Sequence, residues 1–364
     1  MRKSLLYVIM SFALILNVSA AMKSGTPDIR SLGSSAFSPD GVLLIGDSVS
    51  GILFAVDLND RTPNGEAAGL EVTDIDEKLA AMLGTTAKRI RIHDLAVNPI
   101  SQNTYLTVSR GRGENAVNFL IRVTPSGDIN DVPLTDVLFD VKTISSVVSP
   151  EKKNRRGRSL RTEAITDIAY VNGEVYIAGL SNEEFSSTLR VVSYPFDKKE
   201  KATSLEIFHA AHKRYETHSP IRTLLPYELQ SVPHLLAAYT CTPLVTFTID
   251  ELTDGAHVKG KTVAELGSGN RPLDMLTYEM DGKEYILLAN SNRTMMKIDP
   301  DDIATATAIT NPMTTRYGTA GVEYLAVAQV GVQQLDNLNA DHVLVLQRMG
   351  NGSLNLRSLR KARL

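Results

Sequence analysis

One pattern recurs along this chain and limits what it can fold into. Residues 92–111 read IHDLAVNPISQNTYLTVSRG, 165–183 read ITDIAYVNGEVYIAGLSNE, 220–242 read PIRTLLPYELQSVPHLLAAYTCT and 272–292 read PLDMLTYEMDGKEYILLANSN. Each is an apolar or alternating run, a turn carrying Gly, Pro or Asn, and a second run ending in small polar residues, which is the pattern of a β-hairpin. A third strand follows each, at 119–123, 189–194, 244–249 and 295–298. Two looser copies complete the set: 34–58, with a Pro-Asp-Gly turn, and 321–329 taken together with 342–359.

Six units spaced by about 50 residues fit the blades of a β-propeller, whose sheets bury their faces only against one another. The expected fold is all-β, a six-bladed propeller with seven blades as the alternative count. The ring should be closed by the segment near residue 22 or by the C-terminal tail. A large two-sheet sandwich competes, but it leaves the fixed internal order of turns unexplained. The chain has no Trp, which argues against a WD-type repeat. The pattern resembles that of secreted bacterial propellers of the NHL and YVTN kind over residues 33–360. That resemblance implies the fold and no particular activity.

Two segments depart from the repeat. Residues 73–84, TDIDEKLAAMLG, read as a short rim helix capped by Thr73 or Asp74, with Leu79, Met82 and Leu83 on its apolar face and Gly84 as its stop. Residues 149–159, SPEKKNRRGRS, read as an inserted surface loop.

The first twenty residues, MRKSLLYVIMSFALILNVSA, have the basic start, short apolar run and small-residue end of a secretory signal peptide. The expected organisation is therefore a leader over 1–20 and one propeller domain over 21–364, secreted or periplasmic, monomeric, with no membrane span in the mature chain. A single cysteine, Cys241, rules out an internal disulfide. Its place after HLLAAYT suggests a buried packing residue, with a metal role as the alternative. The net charge of −3 gives no reason to expect a nucleic acid partner.

In a propeller the first strand of each blade lies nearest the axis, and the loops beside its start share one face. The aligned residues at that start are Ser35, Asp94, Asp167, Arg222, Asp274 and Glu323. Two arrangements relieve so many acids at a channel mouth. Arg222, helped by Arg271 and Arg91, can pair with them. Alternatively Asp94, Asp167 and Asp274 can hold a hard cation such as Ca²⁺, with Asn270 or Asn292 adding oxygens. Polar side chains here also satisfy backbone groups across the ring.

After the second strands come Ser48, Ser109, Ser181, Thr240 and Ser291, which suit tight turns. Arg110, Arg112, Arg271 and Arg293 enrich the same face in guanidinium groups, which favour carboxylate and phosphate partners. The candidate ligand-binding set is Arg110, His218, Arg222, Arg271, Asn292 and Arg293. His93, beside Asp94, is the candidate general base. His209 and His212 have a metal-compatible spacing without a zincin pattern.

The first functional reading is a binding or interaction protein whose site, at the channel mouth, takes a small anionic ligand or an extracytoplasmic protein. Whether it is an enzyme stays open. Propellers of the gluconolactonase and paraoxonase kind hold Ca²⁺ axially, and the acidic ring is similar to theirs, which implies a Ca-dependent hydrolase of the lactonase or esterase type. A quinone-cofactor oxidoreductase is the third reading.

Overall fold

Hairpins with short Gly- or Asn-containing turns bring each run of alternating residues against the next, and the result is six antiparallel sheets around one axis. The structure, a computed structural model, describes residues 22–65, 68–315 and 317–364. The expected leader lies outside the described residues. Among the described residues no helix is long and apolar enough to cross a membrane.

The six blades, counted by their innermost strands in chain order, are built as follows. The first has Ser35–Phe37, Val42–Asp47 and Ile52–Asp57; the second has Ile90–Val97, Thr104–Arg110, Val117–Val123 and Ile129–Asp131. The third has Asp167–Val171, Glu174–Leu180, Ser187–Ser193 and Lys201–His209; the fourth has Ile221–Leu229, Val232–Tyr239, Pro243–Thr248 and Lys261–Glu265. The fifth has Pro272–Met280, Lys283–Asn290, Met295–Ile298 and Leu325–Val327; the sixth has Val332–Asn337, His342–Arg348 and Leu354–Arg360.

The blades do not follow the chain around the ring. Inner strands of the first blade touch those of the second and third, and the sixth lies between the fifth and the second. Walking round, the order is second, first, third, fourth, fifth, sixth. The first three strands after the N-terminal segment therefore occupy a slot between two later blades. Their sheet is finished by Val137–Thr143, reached only after the second blade, and the sixth blade is finished by Glu71–Val72. The expected closure is corrected by this topology. Lys23–Gly25 adds an outermost strand to the first blade by pairing with Val137–Phe139, and the C-terminal strand needs residues 71–72 on its open edge.

Past the first blade the chain reaches the face opposite the inner-strand starts, under the second blade, at Asp60. Asp60 fastens it there: its carboxylate accepts hydrogen bonds from Ser101 Oγ at 2.7 Å, Tyr105 Oη at 2.8 Å and Asn103 Nδ2 at 2.9 Å. Six apolar seams hold the ring. One joins Leu106 and Ile121 of the second blade to Leu344, Leu346 and Leu356 of the sixth. Another joins Leu44 and Leu53 of the first to Ile177 of the third. Burial of such side chains is the main stabilising term, at roughly 1.5–3 kcal/mol each.

The expected rim helix forms as Ile75–Met82 on the seam between the second and sixth blades, with Ile75, Leu79 and Leu83 buried. Met82 is exposed, so the apolar face is rotated toward Ile75. Gly84 adopts φ +63° just past the helix, the left-handed stop that glycine suits. Asp74 makes no side-chain cap. Asp76 instead accepts from Leu354 N–H at 2.9 Å and pins the helix to the sixth blade. A second short helix, Pro300–Thr305, was not expected. Asp299 caps it and Pro300 opens it, a pairing suited to a helix start.

The last repeat is also corrected. Residues 321–329 are not an inner strand: Leu325–Val327 is the outermost strand of the fifth blade, and the inner strand of the sixth is Val332–Asn337. Glu323 is exposed on the outer rim. Alternation marks a strand but does not say which edge of a blade it occupies.

Candidate functional site

An innermost strand has no neighbouring strand on its axial side, so its N–H groups there need other acceptors. Four aspartates supply them, each bonding across to the next blade. Asp94 of the second blade accepts from Ser35 N–H of the first at 2.5 Å, and Asp167 of the third accepts from Leu224 N–H of the fourth at 2.8 Å. Asp274 of the fifth accepts from Leu335 N–H of the sixth at 2.8 Å, and Asp336 of the sixth accepts from Val97 N–H of the second at 2.7 Å. The second oxygen of Asp167, Asp274 and Asp336 takes the N–H of its own following residue. Hydroxyls tie the first and third blades, where Ser34 Oγ donates to Thr166 O at 3.0 Å.

The inner strands of the second, fourth, fifth and sixth blades share a β-bulge near the mouth, between Ile92 and Asp94, Ile221 and Thr223, Pro272 and Asp274, and Val332 and Gln334. The bulges re-aim side chains at the mouth. They also refine the aligned column. Thr223 holds the fourth-blade register position, with Arg222 as the bulged residue, and Gln334 holds the sixth-blade position. Asp336 lies two residues deeper along its strand, where a column read only at strand starts misses it.

The carboxylates open onto the channel on one side but are packed too closely to be hydrated as in bulk water. Burial pushes Asp94 up to about 8, with repulsion from Asp167 adding to it, and it outweighs the hydrogen bonds from Ser35 and Leu95 that favour the charged form. Burial likewise pushes Asp167 up to about 7 and Asp336 up to about 6. Asp274 is raised well above the usual carboxylate range by burial and by the fields of Asp94 and Asp167. These three acids therefore share one axial space and repel one another. Among the described residues, those whose ligand atoms converge within metal-binding range lie elsewhere.

Arg222 does not neutralise them. It forms an ion pair with Glu163 at 3.0 Å, and its Nε donates to Thr240 Oγ1 at 3.0 Å. Around the mouth the guanidinium groups instead gather in two pairs, on opposite sides of the ring. Arg271 is lowered by burial and by Arg222, with Glu163 the nearby carboxylate. Arg91 is lowered by burial and by Arg112. Among the described side chains Arg91, Arg112 and Arg271 have no ion-pair partner. Guanidinium groups that repel one another, with Glu163 the one ion-pair partner among them in the described residues, make this face receptive to an anion.

The other candidates are spread over the same face. His93 Nε2 meets Ser109 Oγ at 2.8 Å, and desolvation together with Arg91 lowers its pKa, which favours the uncharged ring. Asp94, its chain neighbour, bonds Ser35. Arg110 donates to Leu83 O at 2.7 Å and lies over the Phe119 ring, which anchors the rim helix. Arg293 donates to Tyr317 O at 2.8 Å, and Asn292 Nδ2 to Gly269 O at 2.7 Å. His218 is exposed, with Nδ1 at 3.1 Å from Thr217 Oγ1. Asn270 and Asn290 bond each other and support the loop after the second strand of the fifth blade.

At the junction of the third and fourth blades, on this same face, the fold joins residues that sequence reasoning kept apart. One nitrogen each of His209 and His212 and the sulfur of Cys241 all lie within 4.8 Å of one another. Cys241 is only half-buried, against the expectation of a packed core residue. Its φ of +69° turns it out of the strand that precedes it. No local motif links position 241 to 209 and 212; the outer strand of one blade must lie beside the second-to-third-strand loop of the next for them to meet.

No family model matches the chain, and no curated protein matches it. Among solved structures, the chain is similar to the extracellular region of plexin A4, at 8 % identity and TM-score 0.39, covering 94 % of this chain and 40 % of that one. It is also similar to the PQQ-bound aldose sugar dehydrogenase of Streptomyces coelicolor, at 11 % identity, TM-score 0.37 and coverage of 93 % and 98 %. A gluconolactonase-like propeller gives 8 % identity, TM-score 0.33 and 94 % of each chain.

Proposed function

We propose that this propeller is an exported binding protein that captures a small organic anion over the mouth of its central channel. The observation that supports this reading most is the pair of guanidinium clusters, Arg91 with Arg112 and Arg222 with Arg271, served by a single carboxylate, Glu163, among the described residues. Their places on opposite sides of the ring favour a ligand with more than one acidic group. Asn292 and His218 lie on the same face, as hydrogen-bonding groups for its polar atoms. The test is thermal melting of the purified chain with succinate or inorganic phosphate against chloride at equal ionic strength. A rise in Tm that saturates with succinate or phosphate supports the reading; identical melts in all three salts contradict it.

A second reading has its own observation. Burial raises Asp94, Asp167 and Asp274, and the field of Asp167 adds to it at Asp94, those of Asp94 and Asp167 at Asp274. A Ca²⁺ ion among their free lone pairs would relieve that repulsion and polarise a carbonyl, with neutral His93 as the base of a lactonase- or esterase-like hydrolase. Calcium titration separates the two: it should raise Tm, and EDTA reverse it, only if this second reading holds.

A further inference from the structure

The residues around Glu216 are arranged as a support for something they do not themselves contain. Glu216 is buried, and its two oxygens reach two imidazoles: Oε2 lies 3.0 Å from His209 Nδ1, and Oε1 lies 2.7 Å from His212 Nδ1. Ser219 Oγ donates to Oε2 at 3.0 Å and Arg214 Nε to Oε1 at 3.1 Å, which fixes the carboxylate in place. A carboxylate that only accepts selects the tautomer with the proton on Nδ1. Both Nε2 atoms then carry a lone pair.

His209 Nε2 is the telling atom. His209 is fully buried, and its Nε2 has no hydrogen-bond partner. A satisfied core histidine does not leave a lone pair stranded in this way. The two rings lie 3.7 Å apart between centroids, so both being cationic would set like charges in contact. Cys241 completes the group, held in the left-handed region by a bond from its N–H to Asn270 O at 2.9 Å. Beside them Glu265 is fully buried; its Oε1 takes Ala211 N–H at 3.2 Å and its Oε2 has no partner. One positive ion in this place would account for both stranded atoms.

We propose that His209 Nε2, His212 Nε2 and Cys241 Sγ form a binding site for a borderline transition-metal ion of the Zn²⁺ class. Two imidazoles and one thiolate are a donor set for such an ion rather than for Ca²⁺ or Mg²⁺, which take oxygens. A carboxylate holding the far nitrogen of each ligating histidine is the usual outer support of a zinc site. One ligand atom from each of the three residues already lies within 4.8 Å of the others, and a metal held at about 2.0–2.3 Å from each ligand draws such atoms together. His212 is exposed and Cys241 half-exposed, so the ion has a route in from solvent. The fourth position stays open to water or to Glu265. This site does not depend on the anion reading, because it uses none of the mouth arginines.

The test uses the full chain, reduced and metal-free. Zn²⁺ titration should give one equivalent, and Co²⁺ in its place should give a thiolate-to-metal absorption band. H212A and C241S, both at exposed or half-exposed positions, should each weaken Zn²⁺ binding by about tenfold or more, and C241S should abolish the band. E216Q should weaken binding by about 10–100-fold, the range for an outer support. H234A, at a histidine that bonds only Val232 O, should bind as the parent does. Alkylating Cys241 on the folded protein gives the same readout should C241S fold poorly. Absence of Zn²⁺ binding by the parent, or binding and a cobalt band unchanged in C241S and H212A, overturns the proposal.

Discussion

Asp274 and Leu335 belong to neighbouring blades, and the carboxylate of the first accepts the backbone N–H of the second at 2.8 Å while its other oxygen takes Met275 N–H at 2.8 Å. The acidic residues that look like a ligand site are thus also inter-blade staples. Removing one strands two backbone donors near the axis. D274A should cost about 1–3 kcal/mol by urea denaturation, and D274N, which keeps an acceptor, clearly less. Equal stability of D274A and the parent would show that channel water replaces the staple at no cost.

The staples also set a pH dependence. Asp94 is raised to about 8 and Asp167 to about 7 in the folded chain, above an unfolded value of about 3.9. A raised carboxyl contributes stability that is complete below the unfolded pKa and lost as pH rises through the folded one. These groups should therefore lower Tm between pH 5 and pH 8.5. D94N should flatten that fall, gaining about 1–2 kcal/mol relative to the parent at pH 8.5 after allowance for water in the channel. A parent and variant whose melts run parallel across this range would rule out a raised Asp94.

Ring closure by distant strands predicts an asymmetry between two changes. Val72 is buried in the seam between the second and sixth blades, whereas Lys23–Gly25 only lines the outer edge of the first. V72D should destabilise by more than about 3 kcal/mol, by burying an unpaired charge. Deleting residues 22–25 should cost less than half as much. The reverse ranking in chemical denaturation would contradict the observed closure.

Cys241 should be reactive. Half-exposed and turned outward, it should be modified by a thiol reagent at a rate within about tenfold of that in the unfolded chain. Saturating Zn²⁺ should slow the reaction. Protection as strong as that of a core cysteine would mean the outward orientation is wrong.

How much of this was legible in the sequence follows from which forces act locally. Hairpins are local, so the units at Ile92, Ile165, Pro220 and Pro272 announced themselves by alternation and turn residues. Asp94, Asp167 and Asp274 stood out because the repeat placed them at one position. The ring order did not, since completing the first blade with Val137–Thr143 depends on apolar seams between sheets that no periodicity records. Asp336 stays hidden while residues 321–329 are taken for the inner strand of the sixth blade, and the sequence offers Arg222 to the axial acids as one of two arrangements, whereas Glu163, on the approach to the third blade, takes it. The meeting of His209 with Cys241 is a product of tertiary packing; only the spacing of His209 and His212 hinted at it.

Anion binding by the mouth arginines is open to measurement. Isothermal titration of the full chain with succinate, at low and at physiological salt, tests it most directly, with R91Q and R271Q alongside the parent. Saturable binding that weakens with salt is expected, with a loss of about 1–2 kcal/mol of binding free energy in each variant, as for the loss of a charge-assisted bond. Binding of equal strength in R91Q, R271Q and the parent, or no heat at millimolar succinate, phosphate and sulfate, would contradict it.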